Sequence, residues 1–197
     1  GDDGLFHMLV STMQGTKGVL VEFVSPNLKS WEHKGVFMTM MWDRFYECPD
    51  VFKMGDWWYL VYSEKYPEIR KVQYFKGRTL DELKATTVDD KPTWPDDHEG
   101  FLDSRGFYAG KTASDGTNRY IWGWCPTRAG NDNTEVGAAP NEPEWAGNLV
   151  AHKVIQHEDG TLTLGAVEGI DKKYASEQEV KIMAQSESGV TANNGVY

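Results

Sequence analysis

Three stretches of this 197-residue chain repeat one pattern, an Asp/Gly turn feeding a strand of alternating aromatic and aliphatic residues. They are Asp3-Gly4-Leu5-Phe6-His7-Met8-Leu9-Val10-Ser11, Gly55-Asp56-Trp57-Trp58-Tyr59-Leu60-Val61-Tyr62-Ser63 and Asp115-Gly116-Thr117-Asn118-Arg119-Tyr120-Ile121-Trp122-Gly123. Aligning Phe6, Tyr59 and Tyr120 sets them 53 and then 61 residues apart. Each is followed by another strand-like run, so one repeat has room for about four short strands, the size of a propeller blade. Leu5 to Thr12, Gly18 to Val24, Trp57 to Ser63, Arg70 to Phe75, Arg119 to Cys125 and Asn148 to Gln156 all read as strands. They are rich in Val, Tyr and Trp and bounded by Gly, Asp, Asn and Pro. The only helix-like piece is Thr79 to Ala85, one or two turns opened by Asp81-Glu82. The expectation is an all-β chain holding about three blades. Three blades cannot close a ring without exposing strand edges, so they read as part of a larger propeller. Residues 1–170 form that partial propeller, with Ala129 to Pro143 as a long loop on one face. Residues 171–197, poorer in aromatics, read as an outer strand or linker towards a further domain.

Charge narrows the partners. Twenty basic against thirty acidic residues give a net charge of −10, which argues against a nucleic-acid partner, since phosphate backbones need a basic surface. No apolar run approaches the roughly 18 residues of a spanning helix, so no membrane insertion is expected. No leader precedes Gly1, and a mature, trimmed or truncated chain fits equally. Cys48 and Cys125 stand 77 apart, neither a metal pattern nor a disulfide scaffold. His152 and His157 are five apart, which on a strand puts them on opposite faces. His98, in Asp96-Asp97-His98-Glu99, lacks the oxygen-ligand spacing of a calcium loop. No metal and no cofactor are expected.

The segment richest in chemistry is Tyr46-Glu47-Cys48-Pro49-Asp50-Val51-Phe52. A carboxylate stands at the head of an apolar strand whose backbone is pinned by proline. Propellers converge the first strand of each blade on a central channel, so Glu47 would face a shared pocket; the alternative is an ordinary surface glutamate. Cys48 has no histidine motif beside it and reads as packing. Trp42 and the Trp57-Trp58 pair either line a pocket rim or divide between core and surface.

Glu-Cys-Pro-Asp before an apolar strand resembles the acid motif of glycoside hydrolase family 32, the invertase, inulinase and levanase group. Further segments match in order. Ser25-Pro26-Asn27-Leu28-Lys29-Ser30-Trp31-Glu32 resembles a Ser-x-Asp-Leu-x-x-Trp segment, and Phe107-Tyr108-Ala109-Gly110-Lys111-Thr112 a Phe-Tyr-Ala-Pro-Gln-Thr segment, with Asp103 upstream. Gly123-Trp124 is similar to a following Gly-Trp pair. Trp145-Ala146-Gly147 before Asp159-Gly160-Thr161-Leu162 is similar to a last-blade signature. The resemblance covers about residues 5 to 165 and implies a five-bladed propeller backed by a β-sandwich.

It further implies a retaining β-fructosidase acting on sucrose, inulin or levan, with Glu47 as general acid/base. Such chemistry requires two carboxyl groups about 5–5.5 Å apart, and burial beside aromatics is the expected way to keep Glu47 protonated. Asp50, Asp103, Tyr108 and Trp124 are the candidate substrate-binding residues. Asp103 reads equally as a turn-capping aspartate, and Trp124 equally as a core residue between blades. The family's nucleophile, in an Asn-Asp-Pro segment, and its transition-state stabiliser, in an Arg-Asp segment, have no counterpart here, and Asp2 and Asp3 read as turn residues. Gly106 stands where the family often has an acidic residue, and Gly110-Lys111 replaces Pro-Gln. The expectation is therefore a hydrolase fragment completed by an N-terminal segment outside the sequence, exported to the periplasm or beyond. The alternatives are a non-catalytic sugar-binding propeller and an arabinanase-like furanosidase.

Overall fold

The computed structural model describes residues 3–40, 45–64, 71–84, 87–88, 91–92, 98–103, 107–126, 147–173, 182–186, 189–192 and 195–196. In chain order its elements begin with β1 (Phe6–Gln14), β2 (Lys17–Ser25) and β3 (Glu32–Thr39). Next come β4 (Glu47–Met54), β5 (Trp57–Glu64), β6 (Lys71–Gly77), the single helical turn α1 (Leu80–Leu83), β7 (Thr87–Val88), β8 (Lys91–Pro92) and β9 (Glu99–Leu102). The third group is β10 (Tyr108–Ser114), β11 (Arg119–Pro126), β12 (Gly147–Gln156) and β13 (Leu162–Gly165). They pair antiparallel into sheets ordered β1-β2-β3, β4-β5-β6-β9 and β10-β11-β12-β13, with β7-β8 a separate two-stranded pair. These are propeller blades. The residues that the internal repeat aligns fall on β1, β5 and β11; β5 and β11 are the second strands of their sheets. The first sheet therefore presents, among the described residues, the second to fourth positions of a blade.

Packing follows from β5. Strand residues alternate sides, and both sides of β5 are buried. Trp57, Tyr59 and Val61 enter one core with Phe52, Val72, Tyr74, Leu102, Phe107, Ile121, Val154 and Leu162. Leu60 and Tyr62 enter the other with Leu20, Phe37, Met38, Met40, Tyr46, Phe75 and Leu83, and Trp58 packs against it. The first core joins the second and third sheets and the second joins the first and second. Each buried large side chain contributes about 1.5–3 kcal/mol.

Polar ties fix the register between sheets. The Tyr59 hydroxyl donates to the Gly160 carbonyl (2.7 Å), and Gln156 Nε2 donates to the Tyr59 oxygen and to the Met54 carbonyl (2.6 Å each). Lys76 Nζ donates to the Asp159 carbonyl (2.8 Å), and the Leu162 amide donates to the Tyr74 hydroxyl (3.1 Å). The β12–β13 turn is thus seated on the second sheet. Burial pushes the Tyr59 phenol up to about 12, so it stays a donor at any physiological pH.

The expected helical turn is α1, where Thr79 Oγ1 accepts from the Glu82 amide and Glu82 Oε2 accepts from the Arg78 amide. A second one-turn helix, α2 (Glu168–Asp171), was not expected. It belongs to a separate compact unit, residues 166–197, which also holds the antiparallel sheet β14-β15-β16 (Ile182–Ser186, Gly189–Ala192, Gly195–Val196).

Two outcomes test this architecture. A methyl group at Gly123 would overlap the ring of Phe107, which is 2% exposed. Gly123→Ala should destabilise the protein by about 1–3 kcal/mol, read as a lower urea midpoint at unchanged m-value. On β1, His7 Nδ1 lies 2.7 Å from Glu22 Oε1 and Nε2 lies 3.1 Å from Asp3. The Glu22 contact first, and Asp3 second, raise His7 above its ordinary 6.5. Its stabilising contribution is then complete below that value and fades as pH rises through the higher folded one. An NMR titration of Glu22→Gln should bring the His7 midpoint down.

Candidate active site

Glu47 follows a fully buried anchor. Tyr46 is 0% exposed, and its ring stacks on Tyr62 with centroids 4.1 Å apart. Its amide meets Met40 Sδ at 3.1 Å, and its carbonyl accepts from the Ser11 hydroxyl of β1. The strand then breaks register: Glu47 pairs with Ser63, but the next pair is Asp50 with Val61. Cys48, inside this bulge, adopts φ +53°, in the left-handed region that only a locally over-determined backbone sustains.

A matching break opens β10. Tyr108 pairs with Trp124, the next pair is Lys111 with Trp122, and Ala109 between them has φ +55°. Bulges re-aim side chains at the ends of strands. Here both first strands carry one at the same end, and the Tyr108 hydroxyl donates to Glu47 Oε2. Three more bonds lace the two strands together. Lys111 Nζ donates to the Pro49 carbonyl (2.8 Å), and the Thr112 amide and hydroxyl both donate to Asp50 Oδ2 (2.7 Å each). Arg119 Nη1 donates to the Thr112 oxygen (2.7 Å) while its guanidinium lies 4.0 Å from the Phe52 ring centroid. Burial lowers the Arg119 pKa and Asp50 opposes it.

Of the residues expected from sequence, Glu47 and Tyr108 are therefore brought into contact, and Trp124 lies opposite Tyr108 in the ladder, half-buried. The expected burial of Glu47 is not found: the residue is exposed, and Tyr108 is its hydrogen-bond donor. Asp50 is committed through Oδ2 to Thr112, which makes it a joint between β4 and β10. Asp103 has φ +68° at the end of β9, and its Oδ2 lies 3.0 Å from His152 Nε2 on β12. The His152 ring meets Phe107 at a tilt, centroids 5.2 Å apart.

Trp57 is buried in the first core with Arg78 stacked 3.8 Å from its ring centroid, and Trp58, partly buried, packs against the second. His98 stands 6.0 Å edge-on to Trp57. His157 Nε2 pairs with the Thr163 hydroxyl at 2.9 Å, apart from His152. Among the described residues no group of three or more His, Cys, Asp and Glu could hold a metal. Cys48 and Cys125 are free and half-buried, and burial raises both thiols, so neither is an activated nucleophile. Asp2, Trp42, Asp96, Asp97, Gly106, Ala129 to Pro143, Trp145 and Ala146 lie outside the described residues.

Sequence reasoning missed Arg119 and Ser11. A signal for Arg119 was present: it shares strand parity with Ile121, which is 0% exposed, so a cation was being aimed at the core side of β11. Nothing local marks Ser11, whose partner lies 35 residues away.

The family model described as the glycosyl hydrolases family 32 N-terminal domain matches residues 1–165. A sucrose-6-phosphate hydrolase from Vibrio alginolyticus is 28% identical over 82% of this chain and 34% of its own length. An insoluble-isoenzyme β-fructofuranosidase from Arabidopsis thaliana is 26% identical over 81% of this chain and 30% of its own. The chain thus spans about a third of the length of these curated relatives. Among solved structures, a Bombyx mori β-fructofuranosidase in complex with sucrose superimposes with a TM-score of 0.67 at 20% identity, covering 95% of this chain and 40% of that one. A sucrose-6-phosphate hydrolase from Lactobacillus gasseri gives 0.61 at 18% identity, over 86% and 36%. With 165 of 197 residues matched by the family's N-terminal-domain model, and its blades shared with these structures, the chain belongs to glycosyl hydrolase family 32.

Proposed function

We propose that this chain supplies the general acid/base half of a retaining β-fructoside hydrolase, with Glu47 as the proton donor and acceptor. The observation that carries the reading is the Tyr108–Glu47 hydrogen bond across two adjacent first strands. It holds one carboxyl group between the bulged ends of β4 and β10 while leaving it exposed, and a catalytic acid must be both oriented and reachable. A carboxyl oxygen bonded by a phenol also has its second oxygen free to face a glycosidic oxygen.

In this mechanism Glu47 protonates the leaving group as a second carboxylate attacks the anomeric carbon. After the glycosyl-enzyme has formed, Glu47 takes a proton from the water that releases the sugar. The chain contains no Asn-Asp-Pro and no Arg-Asp segment, so the nucleophile and the transition-state stabiliser are assigned to a segment of the same protein outside these 197 residues. Tyr108 orients Glu47. Trp124, opposite Tyr108, offers an indole face for the apolar side of a sugar ring. Sucrose and fructans are the substrate class, in keeping with the sucrose-6-phosphate hydrolase and the β-fructofuranosidase that the chain resembles.

The test uses the full-length enzyme on sucrose and inulin. Glu47→Gln should lower kcat by roughly 10²–10⁴-fold with KM little changed. On an aryl β-fructoside, whose leaving group needs no proton, kcat/KM should recover while kcat stays low, because the second step still lacks its base. Tyr108→Phe removes one hydrogen bond from the acid and should lower kcat about tenfold. An unaltered hydrolysis rate in Glu47→Gln would overturn the assignment.

A further inference from the structure

The turn between β2 and β3 is cross-braced from inside. Ser25 is 0% exposed, and its hydroxyl oxygen accepts from the amides of Asn27 (3.2 Å) and Leu28 (2.8 Å). Asn27 Oδ1 accepts from the amides of Lys29 (2.9 Å) and Ser30 (3.0 Å) and from the Ser30 hydroxyl (3.2 Å). A turn held this way loses little entropy on meeting a ligand. Its last residue, Trp31, remains 36% exposed. It borders a cavity of about 380 Å³ lined by Leu5, Val24, Pro26, Ser30, Trp31 and Glu32, within the size range of small-molecule sites.

The lining selects a chemical class. An indole, a pyrrolidine ring and two aliphatic side chains offer apolar faces. Glu32 and Ser30 supply acceptor oxygens, the Ser30 proton being donated to Asn27. Lys34 Nζ lies 3.2 Å from Glu32 Oε1 and balances its charge, so the pocket holds no unmatched carboxylate to draw in a cation. A net charge of −10 disfavours an anion, and the paired Lys34 offers it no separate cation. What fits is a neutral ring with one C–H face for the indole and hydroxyl donors along its edge. We propose that this pocket is a second saccharide site, separate from the catalytic mouth, that takes one unit of an oligosaccharide. Its choice of β-fructosides rests on the function proposed above; its location and chemistry do not.

The two sites occupy opposite ends of the first sheet. Ser11, late in β1, reaches the Tyr46 carbonyl next to Glu47, whereas Leu5 precedes β1 by one residue. Six residues of strand separate them, about 20 Å. One sugar unit cannot fill both, so the pocket holds either a distant part of a long chain or a separate molecule.

The experiment follows Trp indole N–H signals by NMR in the full-length Glu47→Gln enzyme titrated with 1-kestose, the Trp31 signal being assigned from Trp31→Phe. A saturable Trp31 shift with a Kd of roughly 1–10 mM is expected. Glu32→Ala, which removes an acceptor from the lining and leaves the indole in place as reporter, should weaken it about tenfold, and Glu32→Gln, which keeps an acceptor oxygen and reports on folding, should weaken it less. A Trp31 signal unmoved at about 50 mM sugar overturns the proposal. So does a shift caused equally by phenol but not by any saccharide. Hydrolysis retained in Glu47→Gln would defeat the catalytic reading and leave this one standing, because the Trp31 signal reports binding alone.

Discussion

The burial of β5 on both faces is the constraint on which the rest of this structure depends. An ordinary antiparallel strand presents one face to a core and one to water. β5 alternates instead between two cores, so each of its residues from Leu60 to Ser63 is 0% exposed. The first sheet can be placed only by what β5 offers on one side, and the third only by what it offers on the other. Tyr59 shows how tight the second relation is. Its ring is in the core, and its hydroxyl is held by Gln156 and Gly160 from the β12–β13 turn, so two blades share a side chain that neither could satisfy alone.

That packing is what lets a mobile-looking carboxylate be held. Glu47 is exposed, yet the residue before it is among the most buried in the chain, and the residues after it are bonded across to β10. The bulges at Cys48 and Ala109 take both strands out of regular pairing just where side chains must turn towards the channel. Such backbone strain persists because Tyr46 on one side and the Asp50–Thr112–Arg119 chain on the other over-determine it. Asp50, expected from sequence as a sugar ligand, has in addition this structural part to play through Oδ2. It is one residue of a brace, and its proximity to Glu47 in sequence reflects the short distance over which a bulge must be pinned.

Much of this was legible in the sequence because strand period and turn chemistry are local. The turn-plus-strand at Asp3, Gly55 and Asp115 led to β1, β5 and β11 within two residues at each end. β3 and β10 were hard to see as strands. Glu32-His33-Lys34 and Gly110-Lys111 break the apolar alternation, and pairing partners rather than propensity make them extended. The Glu47–Tyr108 contact was legible only as a family resemblance, since a hydrogen bond across 61 residues leaves no periodic trace. Trp57-Trp58 divides much as paired strand aromatics do: Trp57 is buried, and Trp58, only partly buried, packs against the second core.

The same arithmetic bears on catalysis. A retaining mechanism needs its two carboxyl groups about 5–5.5 Å apart, and in a propeller they come from different blades. On the function proposed above, packing between blades such as the two cores here would set that distance. Interiors are packed to crystal-like density, so a blade interface yields in discrete rearrangements and not by smooth sliding. Gly110 of β10 against Val72 of β6 is a point where one blade can approach the next only because a side chain is missing. On the function proposed above, the spacing of the reacting groups would pass through this contact. A displacement of 1 Å is enough to lower a rate about a hundredfold. On that proposal the precision of the site resides in the apolar layers, with Glu47 exposed on a strand pinned by buried Tyr46 before it and by Asp50 after it.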